Sequence, residues 1–276
     1  LNDLHWATTR RPASASLRAF TIDHRAQIEA LADKAGAPRE RIAAFKTLAV
    51  RAAAKVAEGR EGYGMLLDGV HGREALFRAA DHPFWIGRPV EKPGSRPLEF
   101  DIPEGGSLGV HLAEWPVTQT VKCLCFYHPD DEAALKARQI RELMRVQDAA
   151  RYHGKETMAE IIAGKNTGHG PLGDDTIARA LSELYDAGLR PDWWKLEPQT
   201  GAAAWRAIDA VIAARDPRCR GVVVLGLEAP MRTLKQAFRA ARTAASVRGF
   251  AVGRTIWQKT AAAWLAGQLT DAEAVD

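Results

Sequence analysis

The chain is poor in cysteine, in charge of one sign and in long apolar runs, and each shortage narrows what it can be. Three cysteines occur in 276 residues. The count is odd, and Cys123 and Cys125 stand two apart in an apolar run, where strand alternation puts both on one face. No disulfide framework is expected, and a reducing, cytoplasmic setting is the reading. The 38 Lys and Arg nearly balance 34 Asp and Glu, for a net charge of +4. They are scattered among the acids, so no basic block marks a nucleic-acid binder; the small excess suits an anionic small molecule as well as an ordinary surface. No apolar run approaches the roughly 18 residues of a membrane span, and the opening LNDLHWATTRR is not a signal peptide. The eight His are dispersed with no HxH or HxxxH pair, and CLC lacks partner ligands at finger-like spacing, so neither a metal nor another cofactor is expected. No internal repeat, low-complexity tract or interdomain linker stands out. The first residue is Leu rather than Met, which suggests a piece of a longer polypeptide.

What is present is a globular composition, 46% hydrophobic and 26% charged, able to bury a large core. Short apolar runs alternate with helical periodicity to the end of the chain. The runs lie at residues 17–22, 64–67, 84–86, 121–126, 157–162, 193–196, 221–225 and 249–252. Between them, helical spacing covers 39–57, 131–152, 176–187, 202–215, 231–245 and 256–266. Eight strand–helix units predict a single-domain α/β fold, a (β/α)₈ TIM barrel over residues 1–276. A doubly wound open sheet is the competitor, but it would carry a Gly-rich fingerprint after its first strand, and FTIDHRAQ has none. Residues 88–120, with five prolines and a Gly pair where a third helix should stand, read as an excursion over the barrel's mouth.

In such barrels the chemistry sits at the C-terminal ends of the strands. The polar residues there are Asp23, His24 and Arg25 after the first strand, Asp68 after the second, and Glu91 and Lys92 after the third. Lys122 lies in the fourth strand, with His128 and Asp130 at its end, and Glu160 lies in the fifth. The sixth carries Lys195 and Glu197, the seventh Gly226, and the eighth Gly253 and Arg254. In WWKLEP, Lys195 is flanked by two Trp and a Leu, where an ammonium is poorly hydrated. A free lysine is neutral in only about one molecule in 2500 at pH 7; desolvation and a nearby cation such as Lys122 can release a nucleophilic amine. The bland alternative is a buried ion pair of Lys195 with Glu160 or Glu197, or a lysine that snorkels outward. Imine chemistry also needs a proton carrier, for which Glu160 and Asp23 are candidates. Gly226 and Gly253, each ahead of a helix, with Arg254 beside them, fit a phosphate site made of backbone N–H groups.

Six segments, in order, resemble class I aldolases of the tagatose-1,6-bisphosphate aldolase type. TIDHR resembles that family's first-strand Asp-x-Arg element, MLLDGVHG its LLDPxYG, VEKPG its YEKxG, and VKCLCFYHPDD its VKxLxYYxPD. WWKLEP resembles its lysine strand KxE, and GFAVGRTIW its closing GxxxGRxxW. Gly69 and His71 replace the family's Pro and Tyr. More closely, the chain is similar to the aldolase-like domain fused behind a ribokinase-type 5-dehydro-2-deoxygluconokinase in bacterial inositol catabolism. The resemblance implies a Schiff-base lyase that cleaves 5-dehydro-2-deoxygluconate 6-phosphate to dihydroxyacetone phosphate and malonate semialdehyde. It implies that Lys195 forms the imine, that Glu160 and Asp23 move protons and that Lys122 tunes the site. Gly226, Gly253 and Arg254 would hold the phosphate, with Arg25, Asp68 and Glu91 as further substrate contacts. A fused sugar kinase and a homo-oligomer are the expected associations; nucleic acid and membrane are not. Two other classes remain open: a catalytically silent barrel that positions a neighbouring kinase, and a phosphate-binding isomerase or synthase that forms no imine.

Overall fold

The computed structural model describes residues 4–9, 15–199 and 201–276, so part of the opening segment read for a signal peptide lies outside the described residues. Eight strands alternate with helices and close in sequence order into one parallel barrel, as the alternation predicts. The strands are β1 (Leu17–Thr21), β2 (Tyr63–Leu66), β3 (Trp85–Pro89), β4 (Gln119–Phe126), β5 (Thr157–Ile162), β6 (Trp193–Leu196), β7 (Gly221–Leu225) and β8 (Val247–Val252). The seam is β8 against β1, with Leu17 opposite Gly249 and Phe20 opposite Val252.

Parallel barrel strands are buried on both faces, which is why GVVVL and TMAEII are nearly continuous apolar runs rather than alternating ones. Alternate residues nevertheless divide the two faces. Leu17, Ala19, Leu66, Met158, Trp193, Val223 and Ala251 pack together inside the lumen. Cys123, Cys125, Ile161, Trp194, Val222 and Val224 face the helices. The two cysteines of the CLC run thus share the outward face, and burial pushes the Cys123 thiol well above its ordinary range. Such thiols are inert packing groups.

The outer layer is α1 (Ala26–Ala35), α2 (Arg39–Ala57), α3 (Arg73–Ala80), α4 (Leu108–Ala113), α5 (Ala133–Tyr152), α6 (Thr176–Asp186), α7 (Ala202–Arg215), α8 (Met231–Ala241), α9 (Arg254–Leu265) and α10 (Asp271–Val275). Two helices rather than one join β1 to β2, separated at Gly36, whose φ of 64° ends α1 in a left-handed cap. After β3 the chain runs along the mouth. Glu91 pairs with Phe100 in an isolated antiparallel bridge, the N–H of Leu98 donates to Gln139 on α5 at 2.6 Å, and α4 returns the chain to β4. At the opposite end, the helical turn His5–Thr9 brings His5 to Asp192 just before β6, at 2.9 Å. No helix among the described residues is long and apolar enough to cross a membrane.

Candidate active site

Strand register brings the charged residues together. Glu160 on β5 stands opposite Lys195 on β6 and Leu124 on β4, and Pro89 stands opposite Lys122. Lys122, Glu160 and Lys195 have the parity of the lumen-facing residues, so their side chains project inward above Met158 and Trp193. The Glu160 carboxylate bridges the two lysines: Oε1 lies 2.9 Å from Lys195 Nζ and Oε2 lies 2.9 Å from Lys122 Nζ. Lys122 also reaches Glu91 Oε1 at 2.7 Å and Asp23 Oδ2 at 3.3 Å. All five side chains are buried, and all line a cleft of about 210 Å³ at the C-terminal mouth. Three carboxylates converge here, and the cation between them is Lys122 itself. Among the described residues no group of three or more His, Cys, Asp or Glu is arranged to hold a metal ion.

The cluster sets protonation states through opposing effects. Burial alone would raise the Asp23 and Glu160 carboxyls, but Lys122 and Lys195 outweigh it and hold both below the usual range. Burial likewise opposes the charge on Lys122, and Glu160, Glu91 and Asp23 together override it and keep that ammonium protonated. With two lysines against three carboxylates, the fully ionised cluster carries one net negative charge. Lys122 therefore stands differently from the sequence reading, which cast it as a cation that loosens the Lys195 proton: three carboxylates take up its charge. Its local effect is to hold the buried acids ionised, with a lower proton affinity than free carboxylates.

His24, which the sequence reading placed at a strand end without a role, also lines the cleft. Burial lowers it to about 4 against the pull of Asp23, so near pH 7 it is a neutral imidazole, edge-on to Trp257 with ring centroids 5.4 Å apart. Arg25 pairs with Asp101 and donates to the Glu91 backbone carbonyl at 2.7 Å, which fastens the excursion after β3 to the end of β1. Glu91, beyond its contact with Lys122, accepts the N–H of Leu124 at 3.2 Å. Glu197 turns away from Lys195 and accepts the N–H groups of Ala163 and Gly164 at 2.7 and 2.9 Å, bracing the end of β5.

Asp68 departs from the expected substrate contact. Its carboxylate pairs with Lys46 of α2 and accepts the N–H groups of Val70 and His71 at 2.9 and 2.7 Å, and it is not part of the cleft lining. Lys46, absent from the sequence reading, is fully buried and donates to the carbonyls of Ile22 and His24 at 2.8 and 3.0 Å. Those carbonyls flank Asp23, so the Lys46–Asp68 pair fixes the loop that presents it. The signal was a lone lysine in the apolar stripe Ile42, Phe45, Ala49 and Val50.

Across the mouth, Gly226 follows β7, and Gly253 immediately precedes α9. A Cβ at Gly253 would lie 2.1 Å from the backbone oxygen of Thr21, so the close approach of β8 to β1 requires glycine there. Arg254 opens α9 and pairs with Glu228. Gly226, Gly253, Arg254 and Lys165 all line the cleft.

This closed barrel shares its fold with solved fructose-bisphosphate aldolases. Cgl0159 from Corynebacterium glutamicum superimposes with a TM-score of 0.62 at 16% identity, over 99% of this chain and 92% of that one. The fructose-bisphosphate aldolase from Slackia heliotrinireducens gives 0.56 at 16% identity, over 98% and 87%. A Schiff base forming fructose-1,6-bisphosphate aldolase gives 0.58 at 14% identity, over 95% of each chain. At these identities the likeness is one of fold. The chain belongs to the DUF2090 family, described as an uncharacterized protein conserved in bacteria, whose model matches residues 1–276. No curated protein matches the sequence.

Proposed function

We propose that the protein is a Schiff-base aldolase that cleaves a phosphorylated keto sugar acid. The observation that carries this reading is that the Lys195–Glu160 pair, 2.9 Å apart, opens into a cleft at the barrel mouth together with Lys122, Glu91 and Asp23 instead of being sealed in the core. Proton transfer from Lys195 to Glu160 moves no net charge out of the pair. It leaves a neutral amine to attack the substrate carbonyl and a carboxylic acid to protonate the departing carbinolamine oxygen, which leaves as water. The resulting iminium is a cation in a cluster with one net negative charge, so the site favours it electrostatically. Asp23, at the mouth beside Lys122, is the ionised carboxylate that would take the proton from the hydroxyl two carbons from the imine as the carbon–carbon bond breaks. The carbon–carbon bond then breaks, its electrons enter the iminium to give an enamine, and an aldehyde departs. Protonation of the enamine and hydrolysis of the imine restore Lys195.

The resemblance supports 5-dehydro-2-deoxygluconate 6-phosphate as the substrate, with dihydroxyacetone phosphate and malonate semialdehyde as products, and a fused sugar kinase as the neighbour that supplies the phosphate ester. Gly226, Gly253 and Arg254 suit the phosphate, as backbone N–H groups at a helix start with a guanidinium beside them. Arg25 and Glu91 border the same cleft and would shape the substrate's path. The test is borohydride reduction with this substrate followed by mass spectrometry. The adduct is expected on Lys195, and Lys195→Met should give a folded protein with neither adduct nor cleavage. Glu160→Gln should slow cleavage by about 10²–10⁴-fold while still permitting trapping. A folded Lys195→Met protein with near-normal turnover would point instead to an isomerase or synthase without an imine. No adduct and no turnover in the wild type would point to a silent barrel.

A further inference from the structure

The Glu228 carboxylate sits where an incoming phosphate would meet its cations. It pairs with Arg254 through one oxygen, and its other oxygen lies 3.5 Å from Lys165 Nζ. Three mouth segments meet at this one group: the loop after β5 that carries Lys165, the loop after β7 that carries Glu228, and the first residue of α9. All three residues line the cleft that holds Lys195. The backbone presenting Glu228 is unusual. Leu227 and Glu228 are consecutive non-glycine residues with φ of 48° and 60°, a left-handed geometry that side chains disfavour. The loop is fixed all the same, because the N–H of Ala229 donates to the Gly226 carbonyl at 3.0 Å and the Thr255 hydroxyl donates to the Ala229 carbonyl at 3.0 Å. Strained backbone that is held in place clusters at functional sites. Thr255 belongs to the first turn of α9, so the loop that aims Glu228 is tied to the same helix start that carries Arg254.

We propose that Glu228 is a built-in competitor for the phosphate subsite, holding Arg254 and Lys165 in the substrate-free enzyme and yielding them to a dianionic phosphate ester. This inference rests on the aldolase reading for the location of the subsite and adds Lys165 as its second cation. A carboxylate carries one negative charge and two acceptor oxygens, whereas a phosphate monoester near pH 7 carries close to two charges and three terminal oxygens. The phosphate ester can therefore outbid the side chain for both cations, and a monoanionic or neutral substrate cannot. Rotation of the Glu228 side chain suffices for the exchange, because its side chain is about one-third exposed and the backbone need not move. Glu228 thereby sets a charge threshold for entry, which makes it a specificity-determining residue rather than a catalytic one. Once displaced, its carboxylate faces solvent at the rim, where its charge is cheaply hydrated.

The experiment is calorimetric titration of the purified protein with inorganic phosphate, with no sugar and no borohydride present. If the carboxylate occupies the cations about nine-tenths of the time, the apparent affinity is reduced about tenfold relative to an empty site. Glu228→Gln, close to isosteric and on the rim, should then bind phosphate about tenfold more tightly. Lys165→Met and Arg254→Met should each bind it more weakly than the wild type. Glu228→Asp, which keeps the charge on a stem too short to span both cations, should fall between wild type and Glu228→Gln. Phosphate affinity unchanged or weakened in a folded Glu228→Gln protein would overturn the proposal, and so would phosphate binding to none of the proteins. The predicted tightening with no imine on Lys195 would leave this inference standing and remove the aldolase reading.

Discussion

His24 shows how one side chain of the cleft can couple stability to pH. Its ordinary value of 6.5 falls to about 4 in the fold, because burial disfavours the imidazolium more than Asp23 favours it. Between those two values the unfolded chain takes up a proton that the folded chain refuses, so stability is lost as pH falls through this window. The effect can reach about 3 kcal/mol. In chemical denaturation, the wild type should lose more stability between pH 7 and pH 4.5 than His24→Gln does; equal losses would remove this account. The carboxylates act lower on the scale. Asp23 and Glu160 are depressed below ordinary values of 3.8 and 4.5, so their contribution is full above those values and disappears only as pH falls through the still lower folded values. Sequence pattern made the buried cluster readable because Lys122, Glu160 and Lys195 share a parity within apolar strands. It did not make Asp68 readable in the same way. A strand-end acid looks alike whether a substrate or a lysine from the preceding helix satisfies it, and Lys46 stands 22 residues before the acid it pairs with.

At the scale of elements, the long helices and the central strands followed from pattern and the short or irregular pieces did not. The residues of α2 and α7 coincide with the periodic stretches 39–57 and 202–215, and β5, β6 and β7 coincide with their apolar runs. The excursion after β3 was readable from its prolines and missing helix, but its internal order was not, because that order comes from pairings across the chain: Arg25 to Asp101, Leu98 to Gln139, and Arg96 to the Thr167 carbonyl at 2.8 Å. The six residues of α4 offer too few turns for periodicity to register. The junction of β8 and α9 depends on one missing methyl group. Adding it with Gly253→Ala forces a carbon to 2.1 Å from the Thr21 carbonyl oxygen. The strands must then separate, at a cost of about 1–3 kcal/mol or more. The melting temperature should fall, and phosphate affinity should fall with it, because Arg254 moves with the helix start. A variant that melts normally would mean that the β1–β8 seam yields more easily than its geometry indicates.

For the whole molecule, the two ends of the barrel divide the labour. The mouth holds the charged cleft, and the floor holds packing with long-range hydrogen bonds and a buried Arg220–Glu156 ion pair that tie the strand starts together. At the floor the Asp192 carboxylate accepts the Thr157 N–H at 2.9 Å and meets His5 at 2.9 Å. His5→Ala should destabilise the fold by about 1–3 kcal/mol, since one oxygen of the buried Asp192 carboxylate loses its His5 partner while the other keeps Thr157. Steady-state constants should not change, because the lumen packing of Met158, Trp193 and Val223 lies between floor and mouth. A changed kcat with an unchanged melting temperature would reverse that division. The barrel as a class was legible because eight apolar runs recur with helical spacing between them. The closing of its last strand on its first is a matter of distance along the chain, and that distance is also time. Leu17 waits for Gly249, and at ordinary synthesis rates the wait on a ribosome is on the order of ten to fifty seconds. Asp23 sits through nearly all of that wait, and Glu160 through the later part of it, in a chain that is not yet a ring, with Arg254 still to be made. The site thus comes into being late and all at once, and any helper that shields a nascent barrel must hold it until the eighth strand arrives.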